Sequence, residues 1–504
     1  MTPSLDRTKW EWPVEEIRRV GYRVVDLIAE HLAELPGRPV FQPFPSEIAK
    51  RYLDSVPPAV GIDADAILDR FASEVAAFPF GNGHPRFFGW VNSPPVVIGI
   101  FAEALAAAMN PSCAGGNHAA IYVERQVTDW FKQIIGFPPE GMGLLVSGGS
   151  VAALTGLAVA RHAKGGIDVR AAGLRSSPQR LLIYKTREAH GCHQKAVELL
   201  GLGSDSVRTV SHDQSLRMDP AALESRIRLD LEAGDRPLAV IATAGTVNTG
   251  AIDPIGDIAD ICSRYGVWLH VDGAYGAPAV LSPAYENLLR DISRADSVAI
   301  DPHKWLYVPV EAGLILVRDR EMMRATFSLV PAYLRTDDNV EGVAGPPWFS
   351  EYGFQQTRSF RALKVWMAVQ YHGLAGYRAA IENDLELAAD LADSLRAARD
   401  FELLEPQTLS IVCFRYRPPD RFADAAFVDS LNKAALERLQ LSGTLFLSST
   451  IIDDRFWLRA CIVNPRSTRG DVRSILEAVR ECARAVTIDR RPFDQRKERM
   501  HGHT

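Results

Sequence analysis

Several protein classes need features that this sequence has little of. Cysteine is scarce: the six present (Cys113, Cys192, Cys262, Cys413, Cys461 and Cys482) lie far apart, with no CxxC pair. That excludes a disulfide scaffold, argues against a structural zinc site and fits a reducing compartment, so the expected location is cytoplasmic. Long apolar runs are missing too. The most apolar stretch, Pro95 to Met109, is shorter than a membrane span and carries Glu103, so it reads as a buried helix. Residues Met1 to Glu16 lack the basic start and apolar run of an export signal. Positive charge is not in excess: 56 Lys+Arg against 62 Asp+Glu leave −6, which gives no general attraction to nucleic acid or to an anionic membrane. Neither is an expected partner, and small-molecule chemistry becomes the leading expectation. What the chain does have is 504 residues at 47% hydrophobic content, enough for a large core and incompatible with a disordered chain.

Residues 1–95 read as a helical N-terminal arm, because helical pieces such as Val14 to Leu35 are broken by Gly37-Arg38-Pro39 and Pro43-Phe44-Pro45 and little strand signal is present. Over 96–385 short β-rich runs alternate with amphipathic helices. The runs are Arg180 to Tyr184, Leu238 to Ala242, Val267 to Val271, Ser297 to Ile300 and Leu314 to Val317. This alternation predicts an α/β domain with a mainly parallel sheet. Between two of the runs Ile255, Ile258, Ile261 and Cys262 recur at helical spacing, so that crossover is a helix with one face on the sheet. A long helical region from Phe360 to Arg399 leads into 386–486, where strands such as Leu409 to Phe414 and Phe456 to Ala460 and a closing helix, Asp471 to Val486, predict a small α+β C-terminal domain. Residues 487–504 read as a basic, frayed tail.

Ligands of open α/β sheets gather at the carboxyl ends of strands, and the residues standing there are reactive. Glu188-Ala189-His190 follow the first run, Gly245-Thr246 the second, Asp272-Gly273-Ala274-Tyr275 the third and Asp301-Pro302-His303-Lys304-Trp305 the fourth. Upstream, Ser147-Gly148-Gly149-Ser150 precede an apolar helix from Val151 to Ala163, a glycine-rich turn of the kind that binds phosphate through free backbone N–H groups. A lysine, an aspartate and a histidine at three strand ends, with a phosphate cradle, point to pyridoxal phosphate. The lysine amine forms a Schiff base, the carboxylate keeps the pyridine nitrogen protonated and the imidazole stacks on the ring. A competing reading takes Gly148-Gly149-Ser150-Val151-Ala152 as a nucleophile elbow, making a serine hydrolase with Ser150, Asp272 and a later histidine; it lacks the last glycine and leaves Lys304 unexplained.

Asp301-Pro-His-Lys-Trp305, His270-Val-Asp-Gly-Ala-Tyr275 and His190 at their mutual spacing resemble the pyridoxal-phosphate-dependent group II decarboxylases, from about His84-Pro-Arg-Phe-Phe88 to the C-terminal domain. The resemblance implies an aspartate-aminotransferase-like large domain (fold type I) and decarboxylation of an L-amino acid to an amine and CO2. It implies Lys304 as the Schiff-base lysine, Asp272 as the pyridinium partner and His190 as the stacking residue. Gly149, Ser150, Thr246, Ala274, Asp301 and His303 then surround the cofactor, and Ser93 and His190 face the substrate. Tyr333, in Pro331-Ala-Tyr-Leu334, matches the family's catalytic proton donor. The resemblance also implies a homodimer with the site at its interface, the arm wrapping the partner. Three positions depart from the family's usual pattern, Val151, Gly273 and Ser93, and none of them removes a catalytic group. An aromatic substrate is favoured by overall resemblance; tyrosine, dihydroxyphenylalanine, tryptophan, phenylalanine and histidine all stay open. A non-catalytic cofactor-binding protein of the same fold is the alternative, against which the retained Tyr333 argues.

Overall fold

The apolar runs in the middle of the chain become buried strands, and their ends define the site. The computed structural model describes residues 10–329, 342–343, 345–418 and 424–500, with side chains described as far as Thr487. In chain order the first strands are Phe87–Phe88 (β1), Met142–Val146 (β2), Leu181–Thr186 (β3), Val207–Val210 (β4), Arg236–Thr243 (β5), Trp268–Asp272 (β6), Ser297–Ile300 (β7) and Gly313–Val317 (β8). Strands β2 to β8 form one sheet in the order β2-β8-β7-β6-β5-β3-β4. From β4 through β7 the neighbours are parallel, while β8 is antiparallel to both β7 and β2. Every residue of β6 and β7 is buried, as strands covered on both faces require, which is why they read as continuous apolar runs rather than alternating ones. The crossover from β5 to β6 is the helix Ile255–Tyr265; it buries Ile255, Ile258, Ala259, Ile261 and Cys262 and ends at Gly266, whose φ of 68° suits a residue without Cβ.

The remaining strands, Phe401–Leu403 (β9), Ile411–Tyr416 (β10), Phe446–Ile452 (β11) and Arg455–Cys461 (β12), build a second sheet in the order β1-β11-β12-β10-β9. Helices Ala425–Ser442 and Arg469–Met500 accompany it, and Leu431, Leu439, Ile475 and Val479 pack with Val412 and Leu458 in one core.

Three elements cross the boundaries expected from the sequence. Strand β1 lies within the expected arm but pairs in parallel with β11, because Phe88 is buried in the C-terminal core and Phe87 stacks on Phe446 at 5.0 Å. Helix Ala362–Ala397 spans position 385, interrupted only at Gly373 (φ 64°, ψ 167°). The last helix passes position 487 and continues to Met500 where a frayed end was expected. A fourth difference concerns Val97–Met109, read as a buried helix. It is a helix, but only Gly99 and Ala102 are buried, and Val97, Leu105 and Met109 are 45%, 52% and 58% exposed. Among the described residues no helix is long and apolar enough to cross a membrane.

Candidate active site

The turn after β2 shapes one wall of a cavity of about 380 Å³. Helix Gly149–Lys164 starts there with no side chain capping its first turn, so its leading N–H groups are free for a ligand. Glycine is required twice. A Cβ on Gly149 would stand 2.8 Å from Asp301 Oδ2 and 3.3 Å from the Ala274 Cβ, and one on Gly313 would meet the Gly148 Cα at 2.4 Å. The cradle is therefore a backbone surface pressed against β8 and the lysine loop.

Lys304 follows β7 and borders the cavity. Its Nζ lies 2.9 Å from Asp301 Oδ2. Burial works against the ammonium, but the Asp301 and Asp272 charges outweigh it and raise the lysine pKa above its ordinary value. The loop is tied down on both sides. Trp305 Nε1 and the Tyr307 hydroxyl donate to Asp384 Oδ2 at 2.9 and 2.7 Å, and His303 Nδ1 donates to the Ala312 carbonyl at 2.6 Å. Trp305 also stacks on Tyr275 at 5.0 Å, whose hydroxyl bonds Ser410 Oγ at 2.6 Å, joining the lysine loop to the C-terminal domain.

Asp272 ends β6 with its carboxylate bordering the cavity. Burial alone would raise its pKa; the hydrogen bond from His193, with the His193, Lys304 and His270 charges, pulls it well below the carboxylate range. The Ala274 N–H donates to Oδ1 at 3.1 Å, and His193 Nε2 sits 2.8 Å from Oδ2. His190 borders the same cavity, and its Nδ1 accepts the Cys192 N–H at 3.1 Å. Burial lowers its pKa, against the pull of Asp272, which favours the neutral ring. Burial and the nearby Asp272 push the Cys192 thiol up to about 12.

Of the residues expected from the sequence, Gly149, Ser150, His190, Asp272, Ala274, Asp301, His303 and Lys304 all border this cavity. Thr246 and Ser93 do not. Thr246 is fully buried with its hydroxyl 3.0 Å from that of Thr249, and the Ser93 hydroxyl donates to the His303 carbonyl at 3.1 Å, supporting the lysine loop from behind. Tyr333 lies outside the described residues. For the hydrolase reading, Ser150 would need a basic partner; its hydroxyl lies against the Cys192 thiol, and no histidine is hydrogen-bonded to it among the described residues. Sequence reading missed His193 and Asp384, and also Cys192 and Glu311, which border the cavity. His193 had a faint signal, one helical turn beyond His190. Asp384, 80 positions beyond Lys304 in a charged helix, had none.

The donor set fits a phosphorylated pyridine aldehyde. A cationic lysine, a buried anion and a flat neutral imidazole surround one cavity with an uncapped helix start in its wall. Asp301 Oδ1 is buried there without a partner among the described residues. The conserved-domain description "Pyridoxal-dependent decarboxylase" matches residues 50–417. An aromatic-L-amino-acid decarboxylase of Bacillus atrophaeus is 35% identical over 94% of this chain and 97% of its own length. An L-2,4-diaminobutyrate decarboxylase of Rhizobium meliloti (strain 1021) is 32% identical over 85% of this chain and 84% of its own. Among solved structures, Oryza sativa TDC with PLP and tryptamine superposes with a TM-score of 0.87 at 26% identity, covering 94% of this chain and 99% of that one. With the lysine, the aspartate and the histidine meeting at one cavity, these likenesses establish that the chain belongs to the pyridoxal-dependent decarboxylase family, with pyridoxal phosphate as its cofactor.

Proposed function

We propose that this decarboxylase acts on an aromatic L-amino acid, releasing the amine and CO2. The observation that carries the site is the meeting of Lys304, Asp272 and His190 at one cavity of about 380 Å³. The aromatic side chain is supported by the 35% identity with the Bacillus atrophaeus enzyme over nearly the whole chain. When bound, pyridoxal phosphate supplies the electron sink for the pair left behind by the departing carboxylate. Lys304 is the covalent anchor through Nζ, which must shed a proton before bonding to carbon; Asp301 Oδ2 lies 2.9 Å from it. Asp272 holds a proton at the ring nitrogen, as a carboxylate kept ionised does. His190 offers its ring face and, with Nδ1 already accepting, an Nε2–H. The start of helix Gly149–Lys164, with Ser150, receives the phosphate. Tyr333 returns the proton to the substrate carbon, a role that rests on its sequence match. A complete set of reacting groups speaks against a binder without turnover.

The working unit we propose is a homodimer. Helix Val14–Glu34 buries none of its residues, and Val14, Ile17, Tyr22 and Val25 are exposed, as is one side of Val97–Met109. So much unpartnered apolar surface marks an interface. Six free cysteines, five of them buried, suit a reducing cytoplasm. The test of substrate is amine release from a panel of L-amino acids. Tyrosine, dihydroxyphenylalanine, tryptophan, phenylalanine or histidine should be turned over in preference to glutamate and 2,4-diaminobutyrate, and preference for either of the last two would overturn the aromatic assignment. Light scattering across a dilution series checks the dimer; a monomer at all concentrations would refute it.

A further inference from the structure

His193 is the least explained group at the site. It occupies the first turn of helix Cys192–Leu199, is fully buried, and reaches into the site through one nitrogen. Nε2 lies 2.8 Å from Asp272 Oδ2. A carboxylate only accepts, so Nε2 carries the hydrogen. Nδ1 is buried with no partner among the described residues, and the neighbouring His270 ring stands edge-on at 5.8 Å, with its own Nδ1 occupied by Ser297 Oγ at 2.8 Å. The ring's one polar tie is thus to Asp272. Asp272 Oδ1 is already engaged by the Ala274 N–H, so both carboxylate oxygens are oriented from the protein side while the group still borders the cavity.

We infer that His193 is a positioning residue for catalysis: its Nε2–H, bonded to Asp272 Oδ2, orients that carboxylate and weakens it as a base, so that a proton shared with the cofactor's ring nitrogen stays on the nitrogen. A hydrogen bond donated to a carboxylate favours its charged form. Removing it makes Asp272 a stronger base, drawing the shared proton toward oxygen and leaving the ring a poorer electron sink. The effect runs through Asp272, since His193 itself does not border the cavity. The inference rests on the cofactor reading of the site, but not on which amino acid is the substrate.

The test uses holoenzyme carrying cofactor labelled with ¹⁵N at the ring nitrogen, without substrate, for wild type, His193→Leu and His193→Gln. Glutamine can place an amide N–H near the position of Nε2; leucine fills the space with no donor. Wild type and His193→Gln should show the protonated-pyridine signal. His193→Leu should move toward the neutral-pyridine position and bind the cofactor about tenfold more weakly, ~1.4 kcal/mol. A leucine variant with the wild-type nitrogen signal and cofactor affinity would overturn the inference, because a residue that only fills space would behave that way. Should the leucine variant not fold, the imidazole nitrogens of wild-type His193, assigned by their absence from the glutamine variant, still decide: a hydrogen on Nε2 supports the inference and a bare Nε2 overturns it. Wild-type holoenzyme that shows the protonated-pyridine signal yet turns over no aromatic amino acid would count against the substrate assignment alone.

Discussion

Asp384 sets up a pH dependence that can be worked through with its sign. The residue is fully buried in helix Ala362–Ala397 and accepts from Trp305 and Tyr307 on the lysine loop. Burial pushes its carboxyl from 3.8 up to about 7, the hydrogen bonds from Tyr307 and Trp305 opposing the rise. Between those two values the folded chain keeps a proton that the unfolded chain has lost, so folding stability falls as pH rises. The favourable contribution is fully present below about pH 4 and is gone once pH passes about 7. At about 1.4 kcal/mol for each tenfold change, the loss across the window is roughly 4 kcal/mol. Asp384→Asn keeps an oxygen acceptor for both donors and cannot ionise. The difference in stability between wild type and this variant should therefore drift in the variant's favour by about that amount between pH 4 and pH 8, and then level off. Urea denaturation followed by tryptophan fluorescence, at one fixed protein concentration, measures it; the variant serves as the baseline for all other titrating groups. Curves that stay parallel across the window would refute the reasoning and mean that Asp384 is ionised in the folded protein throughout.

Three further outcomes follow from the site. Asp272→Asn should retain cofactor but lose turnover by about a thousandfold or more, equivalent to ~4 kcal/mol of transition-state stabilisation; near-normal turnover would assign the ring-nitrogen role elsewhere. Gly149→Ala sets a Cβ 2.8 Å from Asp301 Oδ2, an overpacking of ~1–3 kcal/mol, and should weaken cofactor binding in a protein that still folds, which equilibrium dialysis checks; unchanged binding would remove the helix start from the phosphate site. Tyr333→Phe should bind substrate and still release CO2 but, lacking the proposed proton donor, divert product with O2 and water toward aldehyde, ammonia and hydrogen peroxide; amine yield unchanged with no peroxide would refute the donor role.

The chemistry of the site was legible in the sequence because it stands at strand ends. A strand announces itself by an apolar run such as Ser297-Val-Ala-Ile300, and the residue that follows it is then at the sheet's carboxyl edge whatever the rest of the chain does. Lys304, Asp272, Asp301 and His190, which border one cavity, were singled out in this way. What was not legible is what holds them. Asp384 reaches the lysine loop from a helix 80 positions later, and Ser93 supports His303 from 210 positions earlier; neither contact leaves a local pattern. Thr246 also follows a strand, between Gly245 (φ 97°) and Val247, which border the cavity, while its own hydroxyl is 3.0 Å from that of Thr249. The apolar run up to Met109 gave the right element and the wrong burial, since apolar periodicity reports that a face needs covering and not which chain covers it.

That last point bears on how the arm and the site belong together. Part of the polar side of helix Val14–Glu34 is tied down within the chain: Arg19 and Arg23 pair with Asp65, and Arg23 also with Asp69, fastening it to helix Ala64–Arg70. Exposed pairs of this kind contribute little to stability, but they fix which way the helix faces. The helix presents Val14, Ile17 and Tyr22 outward. Helix Val97–Met109 presents Val97, Leu105 and Met109, and the same helix lies against the lysine loop, where Gly99 packs so closely on Pro309 that a Cβ would sit 2.6 Å from its Cδ. A partner covering that surface would therefore press on a helix that packs against Pro309, in the loop that carries Lys304. In the proposed dimer, the unpartnered face of Val97–Met109 would thus be a surface to be buried on a helix whose other side packs against the Lys304 loop.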